Sequence, residues 1–263
     1  MADKRFQERL PFNGYYQNIY HVTRYKFAKE FVRGKFVLDI ACGSGHGSIL
    51  LIESKSKQVI GIDLELEAMK GAQLSNGNQS KLPLLLVGSA ERIPFTNSTA
   101  DVVVCFETIE HIIEDKRAVD EFHRVLKPEG TLLLTTPNAK ITQPINGVPN
   151  NPYHVREYTL KDLFELLSSQ FTDINFFGQR IRGTIKGPIT HPKSNRTKLV
   201  RSLLDFIPLK WRLEYPKVLP NPLANWIVRR ITKHNYYLRE EDIEFGVWGV
   251  DRSPVLVAVC KKK

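Results

Sequence analysis

Short apolar runs separated by segments of helical period set the rhythm of the first half of the chain. "FVLDIAC" (36–42), "QVIGIDL" (58–64), "LPLLLVGSA" (82–90), "DVVVCFE" (101–107) and "GTLLLTTPN" (130–138) have strand length and are apolar at successive positions. Such runs predict strands covered on both faces. "SILLIESK", "LELEAMKGAQL" and "DKRAVDEFHRVL" fit between them as helices, and in the last of these Ala118, Val119, Phe122, Val125 and Leu126 recur at helical spacing. The alternation predicts an α/β fold, a mostly parallel sheet with helices on its faces.

After position 138 the rhythm breaks. Residues 139–158, "AKITQPINGVPNNPYHVREY", hold three prolines, a glycine and three asparagines, which is loop composition at a length uncommon in connections without a function. A lid is expected there. "TLKDLFELLSSQ" predicts a helix with Thr159 as N-cap and Asp162 as the capping-box acid. "FTDINFFGQRI" reads as a sixth strand and "PVLVAVC" as a seventh, with residues 182–250 between them as an insertion or cap within one domain spanning 1–263.

Charge changes the picture in one place. The net charge of +10 is local: from Gly178 to Lys233 there are thirteen Lys/Arg against two acids, so the remainder is close to neutral. A block of this kind suits an anionic partner such as a phosphate, a nucleic acid or a lipid headgroup, or else is a solvated basic face. Within it, Phe206, Trp211, Tyr215 and Trp226 alternate with cations. That composition fits a peripheral anionic membrane surface, a nucleotide-linked sugar or RNA, and equally a helical cap with a dimer surface. The three cysteines, Cys42, Cys105 and Cys260, form no CxxC pair and lie in or beside apolar runs, as reduced core thiols do. "MADKRFQERLPF" has no apolar signal-like stretch and no run of about 18 apolar residues occurs, so a cytoplasmic protein is expected.

Candidate chemistry begins at "LDIACGSGHGS", where a strand ends in Asp39 and runs into Gly43, Gly45 and Gly47 before a helix. Glycines there allow a tight turn and close approach of a ligand to the backbone, and the helix start offers unpaired N–H groups. Asp63, twenty residues beyond Gly43, ends the second strand where a carboxylate accepts from ribose hydroxyls. A nicotinamide dinucleotide site prefers G-x-G-x-x-G, and here the third glycine comes one residue early. An acid ending the first strand would also repel a pyrophosphate, whereas it suits the ammonium of a methionine moiety.

Taken in order, "VLDIACGSGHGS", "GIDL", "GSAERIPF", "DVVVCFETIEHI", "RVLKPEGTLLLTTPN" and "NPYHVREYT" make the chain resemble a class I S-adenosylmethionine-dependent methyltransferase over roughly residues 20–181 and the final strand. The resemblance implies a Rossmann-like seven-stranded sheet whose last strand is antiparallel and inserted between the fifth and sixth. It implies that Asp39 and the backbone at Gly43 and Gly45 hold the methionine part, with Arg24 at its carboxylate. Asp63 would take the ribose, and Leu64, Ser89, Ala90, Glu91 and Phe106 would surround the adenosine. The family often has Asp where this chain has Ser89, a weaker acceptor.

"FETIEHI" (106–112) places Glu107, Glu110 and His111 at i, i+3, i+4, so one helical turn would bring them to one face beside the transferable methyl group. Here the chain is similar to ubiquinone-biosynthesis O-methyltransferases and to the enzymes that 2′-O-methylate the 3′ ends of small RNAs, which the lid residue His154 extends. Glu107, Glu110, His111 and His154 then form a candidate site for one divalent cation, Mg²⁺, Mn²⁺ or Zn²⁺. Two other readings stand beside it: His111 or His154 as a general base without metal, and a purely structural role. Glu157 and Tyr158 read as packing and hydrogen-bonding residues.

The wording of "HVTRYKFAKEFVRGK" and "NPYHVREYT" is similar to bacterial sugar and glycan-pathway methyltransferases, so O-methylation of a sugar or glycan hydroxyl, nucleotide- or lipid-linked, is the leading expectation. RNA 2′-O-methylation and methylation of a quinol-like small molecule are the alternatives. A cofactor-binding protein without transferase activity, or an oxidoreductase, is the reading from outside the class.

Overall fold

The computed structural model describes residues 15–65, 83–182 and 240–262. The helix expected at "LELEAMKGAQL" falls largely outside these residues, as do the aromatic and basic positions of the insertion. Of the described residues, one compact unit holds 21–65, 83–180 and 244–262, and residues 15–20, 181–182 and 240–243 belong to a second. Everything that follows on the site belongs to the first.

Helix α1 (Tyr15–Val32) leads into strand β1 (Phe36–Ile40), followed by α2 (His46–Glu53), β2 (Gln58–Asp63), β3 (Leu84–Val87) and β4 (Ala100–Phe106). Next come α3 (Asp115–Val125), β5 (Leu126–Pro137), the short α4 (Ala139–Thr142), α5 (Leu160–Ser168), β6 (Phe171–Ile181), β7 (Ile243–Gly246) and β8 (Val255–Lys262). The sheet runs β3-β2-β1-β4-β5-β8-β6-β7. Strands β1 to β5 are parallel, and β8 lies antiparallel between β5 and β6. That is the architecture the sequence implies, with one correction: there are eight strands, not seven. The extra strand, β7, is four residues long and carries Glu244, so it offers no apolar run to recognise.

Strand periodicity sorts the core into two faces. Leu38, Ile40, Val103, Cys105, Leu132, Leu134, Leu256 and Ala258 pack with α3 and α5. Val37, Val102, Val104, Phe106, Leu133 and Val259 pack with Tyr25, Ala28 and Val32 of α1 and Leu51 of α2. In α3, Ala118, Val119, Phe122 and Val125 are fully buried, four of the five positions of the stripe read from the sequence; the fifth, Leu126, is buried too but begins β5. Helix α5 opens on Thr159, whose hydroxyl accepts from the Asp162 N–H while the Asp162 carboxylate accepts from the Thr159 N–H, a complete capping box. All three cysteines are free and buried. Among the described residues no helix is long and apolar enough to cross a membrane.

The strand order reverses direction between β1 and β4, and crevices outside the carboxyl ends of strands at such a switch point are where open α/β sheets bind ligands. The glycine-rich turn follows β1 and the "FETIEHI" segment follows β4, so topology alone places the two motifs side by side.

Candidate active site

The turn after β1 passes through three residues of positive φ, Ala41 (55°), Gly43 (55°) and Gly45 (77°), before α2 starts at His46. A Cβ at Gly43 would meet nothing within 4 Å, so the backbone there fronts open space. Gly47 is different. A Cβ on it would stand 2.0 Å from Cζ of Tyr25, so the third glycine admits an aromatic ring from α1 rather than a ligand. This accounts for the glycine spacing that fails the dinucleotide pattern.

Tyr25 donates its hydroxyl to both oxygens of Asp39, at 3.1 and 3.3 Å, and Ser48 donates to Oδ2 at 2.6 Å. Asp39 lies on the Val37 side of β1 and is completely buried. Burial pushes its carboxyl up to about 7, against the opposing pull of the Ser48 and Tyr25 hydrogen bonds. The residue expected to meet an ammonium group is therefore turned inward, bracing the turn from behind. Phe106 packs edge-on to Tyr25 at 5.1 Å and belongs to the same core.

Asp63, at the end of β2, accepts the Gly43 N–H on Oδ2 (2.8 Å) and the Glu65 N–H on Oδ1 (3.1 Å). It ties the two strand ends together, and each oxygen retains a second lone pair. Leu64 beside it is half exposed. Farther along, the Ser89 hydroxyl oxygen accepts the Glu91 N–H at 3.1 Å, and Glu91 Oε1 accepts the Glu114 N–H at 3.3 Å, with Ala90 half-buried between them. The residues present thus fit a nucleoside at Gly43, Gly45, Asp63 and Leu64, with Asp39 one layer behind.

After β4 the expected single face does not form. Glu107 has a φ of 49°, and the helical turn is a short 3-10 turn over Ile109–His111 that begins beyond it. The Glu107 N–H donates to the Thr135 carbonyl (3.0 Å), its Oε1 accepts from the Thr135 hydroxyl (2.9 Å), and its Oε2 lies 3.2 Å from Arg24 Nη2. Arg24 Nε donates to Gln179 Oε1 at 2.7 Å, and Gln179 Nε2 donates to Thr23 Oγ1 at 2.9 Å. The backbone turn and the Arg24 ion pair draw Glu107 out of the predicted quartet.

The other three members do meet. Ligating atoms of Glu110, His111 and His154 all lie within 4.8 Å of one another. Glu110 is buried, accepts from the Thr136 hydroxyl at 2.9 Å, and has its carboxyl held well above the usual range by burial and then by the Glu107 charge. Its carbonyl accepts the N–H groups of Val155 and Arg156, fastening the 139–158 segment to the turn. His111 Nδ1 is 3.0 Å from the Tyr153 carbonyl, and since a carbonyl only accepts, Nδ1 carries a proton; in the neutral ring Nε2 is then the basic nitrogen. His154 Nδ1 is 2.8 Å from Glu157 Oε1 and its Nε2 is 3.0 Å from Asn151 Nδ2. Thr142 donates to the other Glu157 oxygen. The two imidazoles stand edge to face, 4.9 Å apart. Tyr158 is buried and donates to Asp115 Oδ2 at 2.8 Å, the structural role expected of it.

Sequence reasoning missed Tyr25, Ser48, Gln179, Thr135 and Thr136. Only the last pair carried a signal, as the polar end of the apolar run "GTLLLTTPN".

Residues 38–134 match the methyltransferase domain family. A Mycolicibacterium smegmatis protein named a probable S-adenosylmethionine-dependent methyltransferase is 31% identical over 151 residues, 57% of this chain and 56% of that one. A ubiquinone biosynthesis O-methyltransferase of Idiomarina loihiensis is 32% identical over 119 residues, 44% of this chain and 47% of its own length. The solved structure of a SAM-dependent methyltransferase of Thermotoga maritima shares the fold, with a TM-score of 0.56 at 14% identity over 96% of this chain and 98% of its own. The chain spans about half the length of the curated relatives it matches.

Proposed function

We propose, on the match of residues 38–134 to the methyltransferase domain family and the likeness to a probable S-adenosylmethionine-dependent methyltransferase, that the chain uses S-adenosylmethionine to methylate a hydroxyl oxygen of a sugar or glycan, with His111 as general base. The observation that carries this reading is the His111 orientation: the Tyr153 carbonyl accepts from Nδ1–H, so that in the neutral ring Nε2 is the basic nitrogen, past the carboxyl end of β4. When bound, the cofactor supplies an electrophilic methyl group on a sulfonium sulfur. The backbone at Gly43 and Gly45 would hold its methionine part with Arg24, and Asp63 its ribose. Leu64, Ala90, Ser89 and Glu91 would line its adenine. His111 Nε2 takes the proton of the acceptor hydroxyl, and His154, held by Glu157, flanks the acceptor.

A divalent cation is the second reading, favoured by the meeting of Glu110, His111 and His154. An alcohol near the pKa of water faces a deprotonation cost of roughly 12 kcal/mol at neutral pH, of which a positioned base supplies about 3 to 5 kcal/mol. One carboxylate and two imidazoles are a donor set suited to such an ion, and with Glu107 on Arg24 the set has three members rather than the four expected. A bound cation would lower the pKa of an acceptor hydroxyl, and Glu110 would have to ionise to hold it.

Sugar acceptors rest on the resemblance of the α1 and 151–159 wording to glycan-pathway enzymes; the Idiomarina relative's name favours a quinol-like acceptor instead. Supplying the protein with isotopically labelled S-adenosylmethionine and, in parallel, nucleotide-linked sugars, oligosaccharides, catechols and RNA tests the acceptor. Label on a sugar hydroxyl is the expected result, and label only on catechol or RNA would replace it.

A further inference from the structure

Helix α1 presents His21, Arg24 and Tyr25 at i, i+3 and i+4, so they share a face. Two of the three are accounted for. Tyr25 braces Asp39, and Arg24 joins Gln179 to Glu107. His21 stacks edge-on against Tyr25 with ring centroids 4.9 Å apart, and its Nδ1 is buried without a hydrogen-bond partner; among the described residues only Ser56 Oγ shares that condition.

A buried polar atom left unpaired costs about 1 to 3 kcal/mol, and a phenyl ring would fill the same space without that penalty. The surroundings say what chemistry would satisfy it. Tyr25, on which His21 rests, fills the space beside Gly47 and reaches Asp39, so the imidazole stands next to the glycine-rich turn. Burial above all, and then Arg24 and His46, the residue that opens α2, pushes its pKa down to about 4, so the ring is neutral. A neutral ring with an unpartnered nitrogen, next to the Arg24 guanidinium, suits a ligand group that accepts hydrogen bonds, such as a carboxylate.

We infer that His21 is a binding residue, its Nδ1–H donating to the carboxylate of an amino-acid-bearing nucleoside seated on Gly43 and Asp63, with Arg24 alongside. This rests on the reading of that turn as the S-adenosylmethionine cradle. It makes His21 a determinant of specificity: it separates nucleosides that carry the amino-acid tail from those that lack it.

Calorimetric titration with two probes tests it. S-adenosylhomocysteine carries the carboxylate; 5′-methylthioadenosine has the same nucleoside and a thioether but no amino-acid group. His21→Phe should weaken S-adenosylhomocysteine binding about 10- to 100-fold, the loss of one charge-assisted hydrogen bond, and leave methylthioadenosine affinity within about 2-fold. His21→Asn, whose amide nitrogen falls near the place of Nδ1, should recover most of the affinity. Equal weakening of both ligands would make His21 a structural residue and overturn the inference, as would no change in either. Wild-type protein that bound neither ligand would overturn the cradle itself, an outcome distinct from failure at His21 alone.

Discussion

Gly47→Ala puts the architecture of the glycine-rich turn to a quantitative test. The new methyl carbon would lie 2.0, 2.3 and 2.5 Å from Cζ, Cε2 and Cε1 of Tyr25, far inside van der Waals contact. The ring is 2% exposed and held by Phe106 and His21, so it has nowhere to yield without leaving Asp39. Overpacking of this kind costs about 1 to 3 kcal/mol, and stranding a buried hydroxyl and carboxyl adds about 1 to 3 kcal/mol more. The sum, about 2 to 6 kcal/mol, corresponds to a fall in Tm of about 5 to 20 °C for a chain of this size. Gly43→Ala is the matched control: its φ of 55° imposes a left-handed strain of about 1 to 2 kcal/mol, but the methyl group meets nothing. Thermal unfolding followed by circular dichroism should therefore rank Gly47→Ala well below Gly43→Ala, and Tyr25→Leu should relieve most of the Gly47→Ala penalty in the double variant. A Gly47→Ala protein as stable as Gly43→Ala, or penalties that simply add with Tyr25→Leu, would refute the packing of Tyr25 against the turn.

Asp63→Ala should lower S-adenosylhomocysteine affinity more than about 100-fold while the protein stays folded, because two hydrogen bonds to a carboxylate are lost; calorimetry within a few-fold of wild type would remove Asp63 from the cradle. Asp39 sets a pH dependence: its folded pKa of about 7 stands above the ordinary 3.8, so the folded state binds the extra proton, and this group's contribution to stability declines as pH rises from about 4 to about 7. Asp39→Asn should flatten that decline in urea unfolding compared at about pH 5 and about pH 8, and an unchanged difference between the two pH values would contradict the assignment. His111→Ala should depress kcat at least about 100-fold with little change in cofactor affinity. Exhaustive chelation separates the two mechanisms, since full turnover of metal-free enzyme leaves His111 as base, whereas loss restored by Mg²⁺, Mn²⁺ or Zn²⁺ assigns Glu110, His111 and His154 to a cation.

What the sequence made legible was whatever is decided locally or by period. The stripe of α3, the strands from β1 to β6 and the Thr159–Asp162 box depend on residues within a few positions of one another, and they stand where expected. Glu107 misled because i, i+3 spacing means one face only inside a helix, and its backbone is set instead by Thr135 across the neighbouring strand and by Arg24 from α1. The surroundings of Asp39 were hidden for a similar reason: its partner Tyr25 lies 14 positions away, and only tertiary packing brings the two together. The early third glycine was visible as an anomaly, yet its cause, the ring of Tyr25, was not.

Strand β8 fixes the order in which this protein can be finished on the ribosome. It is the last described strand to be synthesised, yet it sits inside the sheet, between β5 and β6. Until residues 255–262 leave the exit tunnel, β5 and β6 each show a row of unmet backbone groups where β8 belongs, the kind of edge that pairs with another chain. The nascent polypeptide thus carries its glycine-rich turn and both imidazoles before the sheet that supports them can close. Its passage through that interval is a race between translation and aggregation.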